Sequence, residues 1–81
     1  MDLELELFAG LAERARASRV SVSGLSEGLS IGELKAELAQ RFPEWGSLEH
    51  VAVVIGTEYA GASARIRSGQ AIALLPPVSG G

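Results

Sequence analysis

Few residue types in this chain of 81 residues could carry out chemistry. The sequence contains no cysteine and a single histidine, His50, which excludes disulfide bonds, thiolate metal sites, a cysteine nucleophile and a histidine-rich metal site. No glycine-rich phosphate loop precedes a lysine. Glu4 and Glu6 alternate with leucines as one solvated strand face, so they do not form an acid–base pair. We therefore expect no metal site and no independent enzyme active site.

The end of the sequence is the segment whose residue types suggest a reaction. It reads Pro76-Pro77-Val78-Ser79-Gly80-Gly81. The two prolines end a strand and keep the chain extended, because each lacks a backbone N–H and has a fixed φ. A Gly-Gly end carries no side chain, so it can enter a narrow channel and leaves its carboxylate open to attack. The simplest alternative is a frayed tail, since most chain termini are loosely ordered.

The elements that would position this tail follow from hydrophobic periodicity. Alternation of apolar and polar residues, or a short apolar run rich in β-branched residues, predicts strands at residues 3–8, 19–23, 51–55, 58–60 and 70–75. The first two strands are expected to form a hairpin whose long connection allows a short helical turn. The apolar run at 51–55 is predicted to be a buried central strand. The alternation places five large side chains in the core: Leu3, Leu5, Leu7, Ile72 and Leu74.

The clearest helix begins after Ser30. The Ser30 hydroxyl can cap the helix N-terminus, and Glu33 three residues later completes a capping box. An apolar stripe follows at intervals of three or four residues: Ile31, Leu34, Leu38 and Phe42. Pro43 ends the helix at or near Phe42. The order of the elements predicts an α+β fold, in which one main helix covers one face of a mixed sheet.

Two large apolar side chains are expected on the sheet face that points away from this helix. Phe8 shares a strand face with Glu4 and Glu6, and Leu75 alternates with the core residues of the last strand. Two explanations are open for these side chains. Either another helix or a loop covers them, or they contact a partner protein.

The charge and hydropathy of the chain indicate which kinds of binding partner to expect. Seven Lys and Arg residues against ten Asp and Glu residues give a net charge of −3, whereas nucleic-acid binding normally requires a basic surface. No apolar run reaches the roughly 18 residues of a membrane span, and the first residues lack the basic and apolar regions of a signal peptide. These features predict a cytoplasmic protein with no nucleic-acid or membrane partner.

Several segments match one known family. They are residues 7–11 (Leu-Phe-Ala-Gly-Leu), the capped helix, Glu58-Tyr59, residues 66–70 (Ile-Arg-Ser-Gly-Gln) and, with the greatest specificity, residues 76–81. On these residues the chain resembles the MoaD/ThiS group of ubiquitin-like sulfur carriers, and most closely the small subunit of molybdopterin synthase. The resemblance implies a β-grasp domain at 1–75 and a flexible C-terminal Gly-Gly tail at 76–81.

The resemblance further implies a non-catalytic, sulfur-donating subunit. An E1-like adenylyltransferase would use ATP to adenylate the Gly81 carboxylate, and a sulfur donor system would convert it to a thiocarboxylate. Residues 76–80 would enter the large subunit of molybdopterin synthase, whose catalytic groups would transfer the sulfur to cyclic pyranopterin monophosphate in molybdenum cofactor biosynthesis. This chain itself would bind no cofactor. Phe8, Tyr59 and Leu75 correspond to the apolar partner contacts of the family.

Three other functions are compatible with the sequence. The same carrier chemistry could serve another acceptor, such as thiazole synthesis, tRNA thiolation or cysteine synthesis. The chain could instead be a ubiquitin-like protein modifier that is joined through Gly81 to lysines of other proteins. It could also be a binding module whose tail takes no part in any reaction.

Overall fold

A computed structural model describes residues 1–77, and Val78, Ser79, Gly80 and Gly81 lie outside the described residues. The elements are, in chain order, β1 (Leu3–Leu7), α1 (Ala9–Ala15), β2 (Arg19–Val22), α2 (Ile31–Arg41), a 3-10 helix (Pro43–Trp45), β3 (Ala52–Ile55), β4 (Glu58–Ala60) and β5 (Ile72–Leu75). All five predicted strands and the main helix are therefore present. The division into a domain at 1–75 and a flexible tail at 76–81 stays a prediction.

The five strands form one mixed sheet in the order β2-β1-β5-β3-β4. β1 pairs with β5 in parallel, and the other three pairings are antiparallel. The predicted hairpin of β1 and β2 is confirmed, with α1 in its connection. A mixed sheet with one long helix on one face is the predicted α+β architecture and is the β-grasp fold of ubiquitin-like proteins.

The prediction of a buried central strand at residues 51–55 is confirmed in part: β3 has a hydrogen-bonded neighbour on each side, but β5 is the middle strand of the five and the outer face of β3 is only half-buried. β3 (Ala52–Ile55) is second from the edge, because only the three-residue strand β4 lies beyond it. Val53 is buried on the helix side, while Ala52 and Val54 are half-buried on the other face. A short run of apolar residues in a sequence does not show whether both faces of the strand are covered or one face remains partly open.

The core lies between the sheet and α2. The predicted core residues of β1 and β5 are all buried, and Ile66 from the segment before β5 joins them. The α2 residues in the same apolar cluster are Ile31, Leu34 and Leu38. Trp45 belongs to the 3-10 helix and is buried, and its ring stacks on Phe42 with centroids 4.2 Å apart. The apolar stripe of α2 therefore packs in the core, and the 3-10 helix extends it.

The predicted capping box of α2 is confirmed. The Glu33 backbone N–H donates to the Ser30 hydroxyl at 3.1 Å, and the Ser30 backbone N–H donates to the Glu33 carboxylate at 3.0 Å. These two bonds satisfy backbone donors that have no partner inside the helix. They fix the start of α2 and hence the side of the helix that meets the sheet.

Stability should fall at acidic pH through Glu33. Its pKa lies below the ordinary value, chiefly because the carboxylate accepts from the Ser30 backbone N–H, with further contributions from the Ser30 hydroxyl and the charge of Arg65. The stabilisation by the charged carboxylate is therefore complete above the ordinary glutamate pKa and is lost as the pH falls through the lower, folded-state pKa. We expect Glu33→Gln to lower the melting temperature at about pH 7 and to have little effect at about pH 3.

Thermal unfolding followed by circular dichroism at both pH values measures this difference. Glu49→Gln is the control, because the Glu49 side chain makes no hydrogen bond or ion pair among residues 1–77. A loss in Glu33→Gln that is the same at both pH values would contradict the assignment.

Candidate functional site

The sheet face opposite α2 is polar at one end and apolar at the other. Strand register places Arg19, Glu6, Ala73, Val54 and Tyr59 in one row across all five strands. Each alternates with core residues along its strand, so the row lies on the outer face. The polar end is formed by β2 and β1, and the apolar end by β5, β3 and β4.

A second row continues the apolar end toward the point where β5 ends. Leu75 is paired with Ala52 of β3. Phe8 lies one position beyond the Leu7–Leu74 pair, with extended backbone angles, and it is the N-cap residue of α1. We call these outer-face residues the apolar patch: Phe8, Ala52, Val54, Tyr59, Ala73 and Leu75.

The three residues predicted to contact a partner differ in how far their side chains are exposed. Tyr59 is 76% exposed and Phe8 is 41% exposed. Neither is covered by another element of the described chain, although α1 begins directly after Phe8. Leu75 is half-buried and not openly exposed, because it lies in the central strand between neighbours on both sides. A role of these side chains in partner binding stays a prediction.

The tail leaves the domain beside a small cleft. Pro76 is half-buried and Pro77 is exposed, directly after the last residue of β5. The cleft lies between α1, the 3-10 helix and these prolines, and we call it the exit cleft. Its lining residues are Gly10, Leu11, Arg14, Trp45, Ser47, Val51, Pro76 and Pro77. The predicted reacting residue, Gly81, and the tail residues 78–80 lie outside the described residues, so only the root of the tail is defined.

Gly46 brings the side chain of Arg14 close to the 3-10 helix. Gly46 has φ +79° and ψ −163°, a backbone conformation that is essentially open only to glycine. A Cβ atom at Gly46 would overlap Nη1 of Arg14. With no Cβ there, Nη1 approaches the Trp45 carbonyl oxygen at 3.5 Å, which is a long contact. Sequence reasoning missed this arrangement, since its only local signal is the glycine that follows the tryptophan.

The ionisable groups of the described chain do not form a catalytic cluster. On the polar end of the outer face, Arg19 lies 3.7 Å from the Glu6 carboxylate, and both side chains are largely exposed, so this ion pair contributes little to stability. Within residues 1–77 no group of three histidine, aspartate or glutamate residues is arranged to hold a metal ion. No helix in that range is long and apolar enough to cross a membrane.

The fold and the outer face define the class of the protein: a ubiquitin-like β-grasp domain with an apolar patch beside the root of a Gly-Gly tail. Residues 5–81 match the model of the ThiS family. The chain belongs to this family, as a sulfur carrier of the ThiS/MoaD type or a modifier of the SAMP type. A search of curated proteins found no match.

Solved structures agree with this assignment. SAMP1 from Haloferax volcanii is 30% identical over 100% of both chains, with a TM-score of 0.82. Two others show a likeness of fold alone. A candidate subunit 1 of molybdopterin converting factor from Pyrococcus furiosus is 17% identical over 96% of this chain and 99% of its own, with a TM-score of 0.79. A chain in the complex of subunits 1 and 2 of molybdopterin-converting factor from Helicobacter pylori is 23% identical over 100% of both chains, with a TM-score of 0.66.

Replacing Gly46 should strain the wall of the exit cleft. We expect Gly46→Ala to lower the free energy of unfolding by about 1–3 kcal/mol, because alanine at this φ and ψ is unfavourable and its Cβ displaces Arg14. Urea unfolding measures the change. Gly10→Ala is the matched control, since a Cβ there has no neighbour within 4 Å, and it should leave stability unchanged or raise it by up to about 1 kcal/mol. Equal stability of the two variants would contradict the assigned close approach.

Proposed function

We propose that this chain is the sulfur carrier of a molybdopterin synthase, with its tail as the sulfur-bearing group. The observation that carries the proposal is the sequence Pro-Pro-Val-Ser-Gly-Gly, which directly follows the central strand β5. Carriers of the thiazole pathway also end in Gly-Gly but generally lack the Pro-Pro-Val segment. Subunit 1 proteins of molybdopterin-converting factor share this fold, so the fold is compatible with the same choice.

The proposed reaction takes place on the Gly81 carboxylate. A carboxylate is a poor electrophile because it has no good leaving group. An E1-like partner provides a leaving group by joining the carboxylate oxygen to the α-phosphate of ATP, with release of pyrophosphate. A sulfur donor at the oxidation level of hydrosulfide then attacks the acyl carbon and expels AMP, which leaves a thiocarboxylate on Gly81. This thiocarboxylate donates its sulfur to cyclic pyranopterin monophosphate on the large subunit.

This chemistry needs little from the domain except a fixed starting point for the tail. β5 has a hydrogen-bonded neighbour on each side, so the root of the tail is held in the middle of the sheet. The five residues after Pro76 can then extend by at most about 17 Å. That reach is long enough to enter a channel in another protein, whose groups would supply the catalysis.

The apolar patch supports a large-subunit partner. The complex from Helicobacter pylori joins subunit 1 to subunit 2 of molybdopterin-converting factor, and we extend this arrangement to the present chain. The patch combines an exposed tyrosine and an exposed phenylalanine beside the tail root, and aromatic residues are enriched in protein interfaces. Docking on the patch would orient the domain while the tail enters the channel.

A protein modifier is the second candidate function, and one observation favours it. SAMP1, the small archaeal modifier protein 1, is more similar to this chain in sequence than the two molybdopterin-converting factor chains are. In a modifier, the same activated Gly81 would be attacked by a lysine amine of another protein in place of sulfur.

The carrier function predicts a thiocarboxylate at Gly81. Intact-mass analysis of the protein co-expressed with its activating enzyme should show the exchange of one oxygen for one sulfur, confined to the C-terminal fragment. Deletion of Gly81, or addition of one residue after it, should abolish sulfur transfer because the reacting carbon is displaced. Circular dichroism should show that both variants stay folded.

Transfer that survives either change would rule out the carrier function. The acceptor is identified by complementation of strains that lack molybdopterin synthase, thiazole synthesis or tRNA thiolation, and we expect growth only in the first. Covalent conjugates that disappear on Gly81 deletion would favour the modifier.

The apolar patch should matter for binding more than for folding. We expect Phe8→Ala and Leu75→Ala to weaken binding to the large subunit by about tenfold or more while lowering the free energy of unfolding by less than about 1.5 kcal/mol. Leu5→Ala is the contrast, since Leu5 is completely buried and its truncation costs about 2–5 kcal/mol. Calorimetric titration measures the affinity for the large subunit, and urea unfolding measures the free energy of unfolding. A loss of stability in the patch variants equal to that of Leu5→Ala would mark them as core residues.

A further inference from the structure

Among residues 1–77, Arg14 is the one charged residue that lines the exit cleft. The other described residues around it are apolar or small, among them Leu11, Trp45 and Val51. Arg14 lies in the last turn of α1 and is exposed. A single cation among uncharged lining residues is well placed to select the charge of a group that covers the cleft.

The guanidinium of Arg14 is positioned by the fold but not neutralised by it. Nη1 approaches the Trp45 carbonyl oxygen at 3.5 Å, in space that a Cβ atom at Gly46 would occupy. Within residues 1–77 no carboxylate lies within 4.0 Å of Arg14, whereas Arg19 and Arg41 pair with glutamates at 3.7 and 3.1 Å. A guanidinium has five N–H donors, so most of the hydrogen-bonding capacity of Arg14 is directed to solvent.

The next step rests on the proposed function. If the tail enters a channel in a partner, the rim of that channel closes around the tail root. Because Pro76 and Pro77 line the exit cleft together with Arg14, the rim also covers this side chain. Removing a guanidinium from water without an opposite charge is strongly unfavourable. A carboxylate of the partner at this position would offset that cost.

We propose that Arg14 is a recognition residue for the tail-accepting partner and that it pairs with a carboxylate at the rim of the partner's channel. An arginine and a carboxylate can form two parallel hydrogen bonds, which fix direction as well as distance. The contact would thus set the angle at which the domain meets the channel. It is separate from the apolar patch, since Phe8 precedes the first turn of α1 and Arg14 lies in its last turn.

The charge of the rest of the chain makes this contact selective. The chain carries a net charge of −3, and the polar end of the outer face presents Glu4 and Glu6. An acidic rim would be attracted by Arg14 at the exit cleft, and the net negative charge of the chain would not favour its docking elsewhere. Such a pattern of charges gives specificity and correct orientation more than it gives affinity.

Calorimetric titration tests the pair. The probes are the purified large subunit and the purified activating enzyme of the same organism, each titrated with the full chain at about 50 mM and about 300 mM salt. We expect Arg14→Ala to weaken binding to at least one probe by about tenfold or more, and Arg14→Glu to weaken it further. The loss should be larger at low salt than at high salt.

Arg67→Ala is the matched control, because Arg67 is also exposed but lies before β5, away from the exit cleft. The affinity of this variant for each probe should stay within about twofold of that of the unmodified chain. Thermal unfolding should show that all three variants are folded. Wild-type affinity of Arg14→Ala for both probes would overturn the proposal. Thiocarboxylate formation on Gly81 would then still support the carrier function.

Two other results would also overturn the pairing. Sedimentation could show that the chain alone self-associates and that Arg14→Ala abolishes this, which would assign the exit cleft to a contact between two copies. Absence of binding of the unmodified chain to both probes would reject the proposed carrier function together with the acidic rim.

Discussion

The parallel pairing of β1 with β5 is the contact on which the rest of the molecule depends. It joins the first strand of the chain to the last and places them side by side in the middle of the sheet, through pairs such as Leu5–Ile72 and Leu7–Leu74. The same pairing brings α1, which directly follows β1, to the end of β5. The root of the tail, the apolar patch and the exit cleft therefore meet at one end of the sheet because two distant segments pair.

The open outer face follows from the size of the domain. One long helix can cover only one face of a five-stranded sheet, and the chain has no second helix of comparable length among residues 1–77. The uncovered face is divided into a charged part on β1 and β2 and an apolar part on β3, β4 and β5. A small domain can thus present a binding surface without enclosing a site. The proposed sulfur chemistry would take place on a backbone carboxylate and would require no thiol in the chain.

Local patterns predicted the parts of the fold that local interactions determine. The alternation of Leu3, Leu5 and Leu7 gave the buried face of β1, and the pair Ser30 and Glu33 gave the start of α2. The middle position of β5 was not predicted, because apolar content alone does not show how the interior strands β1, β5 and β3 are ordered. The burial of Trp45 and the position of Arg14 arise from contacts between α1 and the 3-10 helix, which are about 30 residues apart in sequence, so no local pattern encodes them. Local patterns therefore pointed to the C-terminal segment and to three apolar side chains as a candidate site, and they gave no sign of the exit cleft beside Arg14.

The central position of β5 also has a consequence for folding. On one side of it β1 and β2 form a hairpin, and on the other side β3 and β4 form another, each closed by local contacts. An isolated two-stranded hairpin is at best marginally stable in water. Only β5, the last strand in the sequence, joins the two hairpins into one sheet. Because pairing between such distant segments carries a loop-closure cost, the complete outer face exists only in a chain whose β5 has paired with both β1 and β3.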